Sequence, residues 1–188
     1  MASAPAMDEG LVANYLGALA TGIETRLEAE VGTLVHGGPS AAAAILACRY
    51  DAARTVGEFA PILGLTDSGV VRLFNRLEAE GLVVRMPGRD RRTVAVTLTP
   101  KGHGMARRLQ DRRLTALGDV VGVLDPAERQ LLGRLLGKLL RALPADRRDA
   151  RNICRLCDHA RCAGAACPVG SAVRERIDDR LACEGIRA

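Results

Sequence analysis

The sequence is poor in aromatic residues: its 188 residues include two Phe, two Tyr and no Trp. None of these rings lies between residues 152 and 188, although that segment contains five of the six cysteines. Cysteine modules that bind single-stranded nucleic acid stack bases on aromatic rings. The missing rings therefore exclude a second nucleic-acid site at the cysteines, but they do not exclude a metal there.

Other absences narrow the class of protein. No apolar run approaches the roughly 20 residues that span a bilayer. The start, MASAPAMDEG, lacks the positive segment and apolar core of a signal or transit peptide, so a cytoplasmic location is expected. No phosphate-binding loop, carboxylate pair or nucleophile–base arrangement stands out, so the sequence does not predict an enzyme.

Positive charge is concentrated in one segment. Residues 85–113 contain nine Lys or Arg and two Asp, a net charge of +7, while the whole chain carries +5. The rest of the chain is therefore net negative. A basic block confined to one segment favours binding of a polyanion at one place, although a solvated charged face is the simpler alternative.

Helical periodicity and capping residues indicate four helices in the first 81 residues. Apolar residues recur at helical spacing over 11–31, and Ser40 is expected to cap a second helix, AAAAILACRYDAA. Thr55 is expected to cap a short helix ended by Gly64, and Thr66 a further helix ended by Gly81. Two helices joined by so short a turn predict a helix-turn-helix.

The period then changes to two, which predicts a β-hairpin. The strand LVVRM leads to a PGRDRR tip and then to TVAVTLT, where Val94, Val96 and Leu98 are expected to share one face. A recognition helix followed by an arginine-rich hairpin can read the major groove and reach the minor groove and phosphates. This region is a candidate DNA-binding winged helix.

Two more helices follow the hairpin. Thr99 and Pro100 start one that runs towards Val121, and Asp125, with a proline and Glu128 behind it, starts a leucine-rich helix that Pro144 ends. Its leucines cover more than one face, so part of it is expected to pack on another subunit. A short amphipathic helix is expected over 171–181.

The segments LTDSGVVRLFNRLEAEGLVVR and GRDRRTVAVTLTPKG resemble the MarR family of winged-helix transcriptional regulators. The resemblance covers residues 11–143. It implies a mainly α fold with a small β wing, and a homodimer that binds a pseudo-palindromic double-stranded DNA operator. The expected organisation is an N-terminal dimerisation helix (1–36), a winged helix-turn-helix (37–102), C-terminal dimerisation helices (103–144) and a cysteine extension (145–188).

Within the resemblance, Arg72 matches a recognition-helix arginine. Asp90 and Arg92 match the wing pair in which the aspartate orients the arginine for the minor groove. Ser68 and Gly69 depart from the proline and alanine common in relatives. The residue chemistry also suits DNA: hydroxyls and a helix N-terminus meet phosphates, and Arg and Asn reach base edges. The candidate DNA-binding residues are Thr66, Ser68, Gly69, Val71, Arg72, Asn75, Arg76, Arg89, Asp90, Arg91 and Arg92.

Four cysteines, Cys154, Cys157, Cys162 and Cys167, are spaced as metal ligands. The spacing resembles a zinc knuckle with cysteine in place of its histidine, which suits structural Zn²⁺. The Cys-Pro ending suits an iron–sulfur cluster, 2Fe-2S or 4Fe-4S, which can change redox state as a sensor must. The iron–sulfur hypothesis is favoured and zinc remains the alternative. His159 could replace one thiolate, Cys183 is a spare ligand or a free thiol, and Cys48 is expected in the core.

These patterns predict a dimeric transcription regulator, in the first instance a repressor, whose cysteine centre senses redox state, oxidants, nitric oxide or iron supply. Because Cys154 follows Pro144 by only ten residues, the centre is expected to hold the ends of the dimerisation helices. One alternative is a regulator with structural zinc and a small-molecule ligand. Another is a metal-stabilised interaction or electron-transfer module that does not bind DNA.

Overall fold

The computed structural model describes residues 7–50, 54–88, 93–162 and 164–183, with only the backbone of 165 and 179–183. Helices dominate, and a small antiparallel sheet accompanies them. The helices are α1 (Glu9–Val31), α2 (Gly38–Tyr50), α3 (Val56–Leu63), α4 (Asp67–Ala79), α5 (Pro100–Val121), α6 (Pro126–Ala142), α7 (Arg147–Ile153) and α8 (Pro168–Cys183). The strands are β1 (Arg54–Thr55), β2 (Val83–Pro87) and β3 (Val94–Leu98).

Local capping chemistry sets the bounds of the helix-turn-helix, α3 and α4. The Thr55 N–H donates to Glu58 Oε2 at 2.7 Å in a capping box, and Gly64 ends α3 at φ 65°, a left-handed conformation that favours glycine. Thr66 caps α4 by accepting from the Gly69 N–H at 3.2 Å. Both helices therefore lie where the sequence predicted them.

The second helix was predicted with the wrong start. α2 begins at Gly38, and Ser40 lies inside its first turn rather than at its cap. Gly37 and Gly38 both have positive φ, so these glycines make the turn that precedes the helix, and proline is tolerated in a first helical turn. The predicted extension of this helix over residues 51–53 lies outside the described residues.

The sheet has strand order β1-β3-β2, with both neighbours antiparallel. β2 and β3 are the predicted hairpin, whereas the two-residue β1 was not predicted. Val96 and Leu98 face the core as expected, but Val94 is 52% exposed and Ala95 is buried in its place. The wing is locked to α5 at Gly102, where a Cβ would lie 1.9 Å from the Leu82 carbonyl oxygen, so no other residue fits there.

One hydrophobic core supports the helix-turn-helix. α2 supplies eight consecutive buried residues, Ala41 to Cys48, and its alanines let the neighbouring helices approach closely. Phe59 of α3 and Phe74 of α4 are fully buried, with their ring centroids 4.9 Å apart. The contact between these rings fixes the angle between the two helices.

By contrast, neither α1 nor α6 buries a residue within this single chain. Each exposes about half of the surface of several large apolar side chains. These are Val12, Tyr15, Leu16 and Leu19 on α1 and Leu131, Leu135, Leu136 and Leu139 on α6. Exposed apolar faces of this extent are typical of association surfaces, and the packing of the leucine-rich helix on another subunit stays a prediction.

The cysteine extension contains more structure than the sequence predicted. α7, seven residues long, was not predicted, and α8 runs from Pro168 to Cys183 rather than over 171–181. α7 packs against α3, while α8 packs against α6. The described helices include none that is long and apolar enough to cross a membrane.

Candidate nucleic-acid interface and candidate metal centre

α4 is divided into a core face and a solvent face. Val70, Leu73, Phe74 and Leu77 are buried. The opposite face carries candidate DNA-binding side chains that are all exposed, namely Ser68, Val71, Arg72, Asn75 and Arg76. The core side anchors the helix, so these side chains are presented to solvent on a rigid support.

The N-terminus of α4 also presents hydrogen-bonding groups. The Thr66 hydroxyl oxygen is used as the helix cap, and the Ser68 hydroxyl lies 3.4 Å from it. A Cβ at Gly69 would lie 3.1 Å from the Thr66 hydroxyl oxygen, so the glycine leaves room for the cap. The first N–H groups of a helix favour anions such as phosphate.

Arg85 on β2 is a positioning residue that the sequence did not reveal. Its Nη2 donates to Asn75 Oδ1 at 2.7 Å, and its Nη1 pairs with Glu78. The wing is thereby tied to the recognition helix, and the amide nitrogen of Asn75 is the group left to donate to a base edge. Ten residues separate Arg85 from Asn75, a distance at which sequence periodicity carries no information.

The structure describes Arg76 of α4 but not the tip of the wing. Arg76 was predicted to pair with Glu80 or to touch phosphate. Its guanidinium extends towards Gly37, where a Cβ would lie 2.9 Å from Nη1, and the phosphate contact stays a prediction. The wing-tip residues Arg89, Asp90, Arg91 and Arg92 lie outside the described residues. Their roles at the minor groove and phosphates therefore stay predictions.

The four predicted cysteine ligands converge at one place. They line an open cavity of about 350 Å³ between α7, the start of α8 and the core helices α2 and α3. Their thiols form a hydrogen-bonded chain in which Cys154 contacts Cys157 and Cys167, and Cys167 contacts Cys162. Within the described residues, no three His, Cys, Asp or Glu side chains adopt the closed arrangement of metal ligands.

Backbone groups surround the sulfur atoms. Cys167 immediately precedes α8, and its Sγ accepts from the Gly170 N–H at 3.2 Å. A helix N-terminus favours the thiolate form of a cysteine, and N–H donors to sulfur tune thiolate-bound clusters. The loop therefore gives the Cys167 sulfur a hydrogen-bond donor and a position at the start of a helix.

An aromatic pair closes one side of the cavity. The Tyr50 and His159 rings stack with centroids 4.4 Å apart, and the Tyr50 hydroxyl donates to Asp158 Oδ1 at 3.0 Å. Burial, reinforced by that hydrogen bond, raises the pKa of Tyr50 above its ordinary value. His159 Nε2 lies 3.3 Å from the Cys154 carbonyl oxygen, so its ring is held at the rim of the cluster.

The thiols differ in acidity. The hydrogen bond with Cys154 lowers the pKa of Cys157 to about 6 despite its burial, with help from the positive charge of Arg113. The same hydrogen bond raises the pKa of Cys154. Burial, together with Cys167, raises the pKa of Cys162 to about 11. The contacts among the thiols thus make Cys157 more acidic and Cys154 and Cys162 less acidic than an ordinary cysteine.

Positive charge surrounds the sulfurs. Arg151, Arg155 and Arg174 line the cavity, and no carboxylate does so among the described residues. Behind it, Arg113 of α5 has a buried Nε without a hydrogen-bond partner in the described part of the chain. Burial lowers the pKa of Arg113, and the charge of Cys157 opposes this effect. Positively charged surroundings suit a centre with a net negative charge, in which the negative charge of the thiolates exceeds the positive charge of the group that they bind.

The remaining cysteines take different positions. Cys48 is buried in α2 at 2% exposure, as predicted for a core residue. The side chain of Cys183 lies outside the described residues, so its predicted role as a spare ligand or free thiol stays a prediction. For His159, ligation in place of a thiolate also stays a prediction.

Comparison with known proteins identifies the winged-helix region. Residues 36–93 match the sequence model of the MarR family. No curated protein sequence matches the chain at a significant level.

Solved structures share the fold. A MarR family protein from Bacillus stearothermophilus is 28% identical, with a TM-score of 0.62 over 71% of this chain and 96% of its own. The RV1404 protein of Mycobacterium tuberculosis is 22% identical, with a TM-score of 0.63 over 76% of this chain and 98% of its own. Wild-type MarR from E. coli is 22% identical, with a TM-score of 0.55 over 66% and 96%. Residues 36–93 are thus similar in sequence to the MarR family, and the fold of the chain is shared with solved MarR-family structures.

Proposed function

We propose that the chain is a homodimeric, DNA-binding transcription regulator, acting as a repressor, whose cysteine centre binds an iron–sulfur cluster and reports redox, nitric oxide or iron status. The observation that carries the DNA-binding part is the solvent face of α4. This face presents Arg72, Asn75 and Val71 to solvent, while the opposite face of the same helix is buried in the core. These residue types suit base edges and thymine methyl groups.

The DNA-binding proposal is tested by Arg72→Ala. Removing one base contact should cost about 1–3 kcal/mol per half-site against the specific operator and much less against random DNA. Fluorescence anisotropy on a duplex selected by the wild-type protein measures both affinities. Arg134→Ala on α6 is the matched control, because that arginine is exposed and lies on the leucine-rich helix.

Arg92→Ala should weaken binding chiefly through the minor groove and phosphates, with a shallower salt dependence. Unchanged operator affinity in both Arg72→Ala and Arg92→Ala would favour the module that does not bind DNA.

The dimer proposal is supported by the exposed apolar faces of α1 and α6. The double variant Leu135→Glu, Leu139→Glu should give a monomer in sedimentation. Because two linked lobes bind far more tightly than one, operator affinity should fall by about 10²-fold or more. A double variant that remains dimeric would overturn the assignment of this surface.

The metal proposal is supported by the donor set and its surroundings. Four converging thiols, an N–H donor to Cys167 and a rim of arginines suit a thiolate-bound group of net negative charge. The cavity that the four cysteines line is open and has a volume of about 350 Å³. An iron–sulfur cluster held there would supply a one-electron change of charge.

Anaerobic purification with metal analysis and an absorption spectrum tests this part. A brown protein containing iron and sulfide supports the proposal. A colourless protein with one zinc per chain favours the alternative of structural zinc with a small-molecule signal. MarR family members are transcription regulators, and the proposal assigns no catalysis to this chain.

A further inference from the structure

α7 lies directly on the helix-turn-helix. The Asn152 side-chain nitrogen donates to the Ile62 carbonyl oxygen at 3.0 Å, and it lies 3.5 Å from where a Cβ would stand on Gly64. Gly64 is the residue that ends α3 before the turn into α4. Just beyond α7, Leu156 packs against the hydrophobic core. α7 is therefore attached to the DNA-binding lobe and moves with it.

The outer side of α7 is strongly basic. Arg147, Arg148 and Arg151 share a shallow cavity with Pro61 and Ile62 of α3. All three arginines are exposed. None of them makes an ion pair within 4 Å with any residue that the structure describes.

The acidic residues of this segment do not neutralise these arginines. Asp146 caps α7 by accepting from the N–H groups of Arg148 and Asp149 at 2.7 and 2.9 Å. Asp149 accepts from the Ala145 N–H at 3.2 Å. Both carboxylates are thus engaged with backbone and form no ion pair with these arginines. Arg151 also interacts electrostatically with Glu58 of α3, at a distance that leaves its guanidinium exposed to an outside anion.

The position of these arginines points to one polyanion. In a helix-turn-helix the second helix enters the major groove, while the first crosses the phosphate backbone. Here the first helix is α3, and α7 lays its arginines along it. We propose that Arg147, Arg148 and Arg151 bind the phosphate backbone beside each half-site, so that the cysteine extension enlarges the DNA footprint of the winged helix.

This inference rests on the proposed DNA-binding function, and the two can fail separately. Phosphate contacts act independently of sequence and release counterions, so each contact contributes about 0.9 to the slope of log affinity against log salt. The measurement is therefore this slope, taken by anisotropy on the selected duplex and on a random duplex of equal length.

The test variant replaces Arg147, Arg148 and Arg151 by Gln, and its metal content is compared with that of the wild type because Arg151 also lines the cysteine cavity. We expect a shallower slope on both duplexes, by about 0.9 for each phosphate that is no longer neutralised, and an unchanged ratio of specific to random affinity. A second variant replaces the same three residues by Lys, which retains the charge. It should restore most of the slope, because a phosphate contact needs charge more than bidentate geometry.

A matched control removes three charges elsewhere, at Arg129, Arg134 and Lys138 on α6, with sedimentation confirming that the dimer persists. A slope that stays at the wild-type value in the Gln variant overturns the inference and leaves the arginines for an acidic protein surface. A slope that falls equally in the control, or that Lys does not restore, also overturns it. If the wild-type protein binds neither duplex, both the proposed DNA-binding function and this inference fail.

Discussion

The recognition helix and the cysteine loop hold their chemistry-bearing side chains in opposite ways. On α4 these side chains are exposed, while a buried face that includes Phe74 fixes the helix. In the loop the four thiols contact one another around a cavity, and the supporting helix α7 has only seven residues. The packing of α4 thus fixes the first set of side chains, whereas the second set is held mainly by contacts within its own loop.

The strongest test of this contrast removes the scaffold from the DNA-binding lobe. Phe74→Ala deletes a fully buried ring that contacts Phe59, and should lower the free energy of unfolding by about 3–5 kcal/mol. Chemical denaturation followed by circular dichroism measures it. Arg72→Ala on the same helix is the control and should leave stability nearly unchanged. A small loss in Phe74→Ala would mean that the lobe is not held by this core.

The next test compares the same residue type in the two regions. Cys157→Ser should abolish metal binding, leave the lobe folded, and change operator affinity by about tenfold or more, or roughly 1.4 kcal/mol. Cys48→Ala, in the core helix α2, should cost some stability while metal content stays at the wild-type level. Metal analysis, denaturation and anisotropy on both variants separate the two regions.

Equal operator affinity in metal-bound and metal-free protein, with the same dimer stability, would show that the cysteine centre is only a local staple. In that case the sensor part of the proposal fails, and the DNA-binding part stands.

A smaller effect is expected where Arg85 of β2 contacts α4. Arg85→Ala frees Asn75 and Glu78 from the wing and removes charge-assisted hydrogen bonds. Because these side chains are partly exposed, stability should fall by no more than about 1 kcal/mol. Discrimination between the operator and random DNA should fall as well, since Asn75 is no longer oriented. Arg85→Lys is the comparison, as it keeps the charge without the planar fork.

The smallest effect on the stability of the metal-free protein is expected at the rim of the cysteine cavity. Tyr50→Phe keeps the ring that stacks on His159 and removes only the hydrogen bond to Asp158. A loss of about 0.5–1.5 kcal/mol is typical of one such bond. It should appear as faster release of metal to a chelator, with the stability of the metal-free protein almost unchanged. An equal loss of stability with and without metal would show that this bond supports the fold and not the centre.

The sequence was most informative where one residue type makes a local bond. Thr55, Thr66 and Asp125 were each predicted as caps. Thr66 and Asp125 accept from N–H groups of the turn that follows, and Thr55 donates to Glu58 in a capping box. Ser40 also carries a hydroxyl, but the prediction that it caps α2 was wrong. Two glycines with positive φ, Gly37 and Gly38, already turn the chain before it.

Long-range features were missed for a different reason. The two residues of β1 are too few for a periodicity, and α7 has no apolar stripe to reveal it. The Arg85–Asn75 contact and the Asn152–Ile62 contact join residues that only the folded chain brings together. The four cysteines that are close in the sequence also line one cavity, and their role as metal ligands stays a prediction.

The extension is anchored at two ends, and this has a mechanical consequence. α7 is fastened to α3 through Asn152, while Arg176 of α8 donates to the carbonyl oxygens of Pro144 and, at 3.1 Å, Arg141. The four cysteines lie in the span between these fastenings. That span therefore connects the helix-turn-helix to the C-terminal end of α6. Shortening or lengthening the cysteine loop by a few residues would therefore change the angle between the helix-turn-helix and α6.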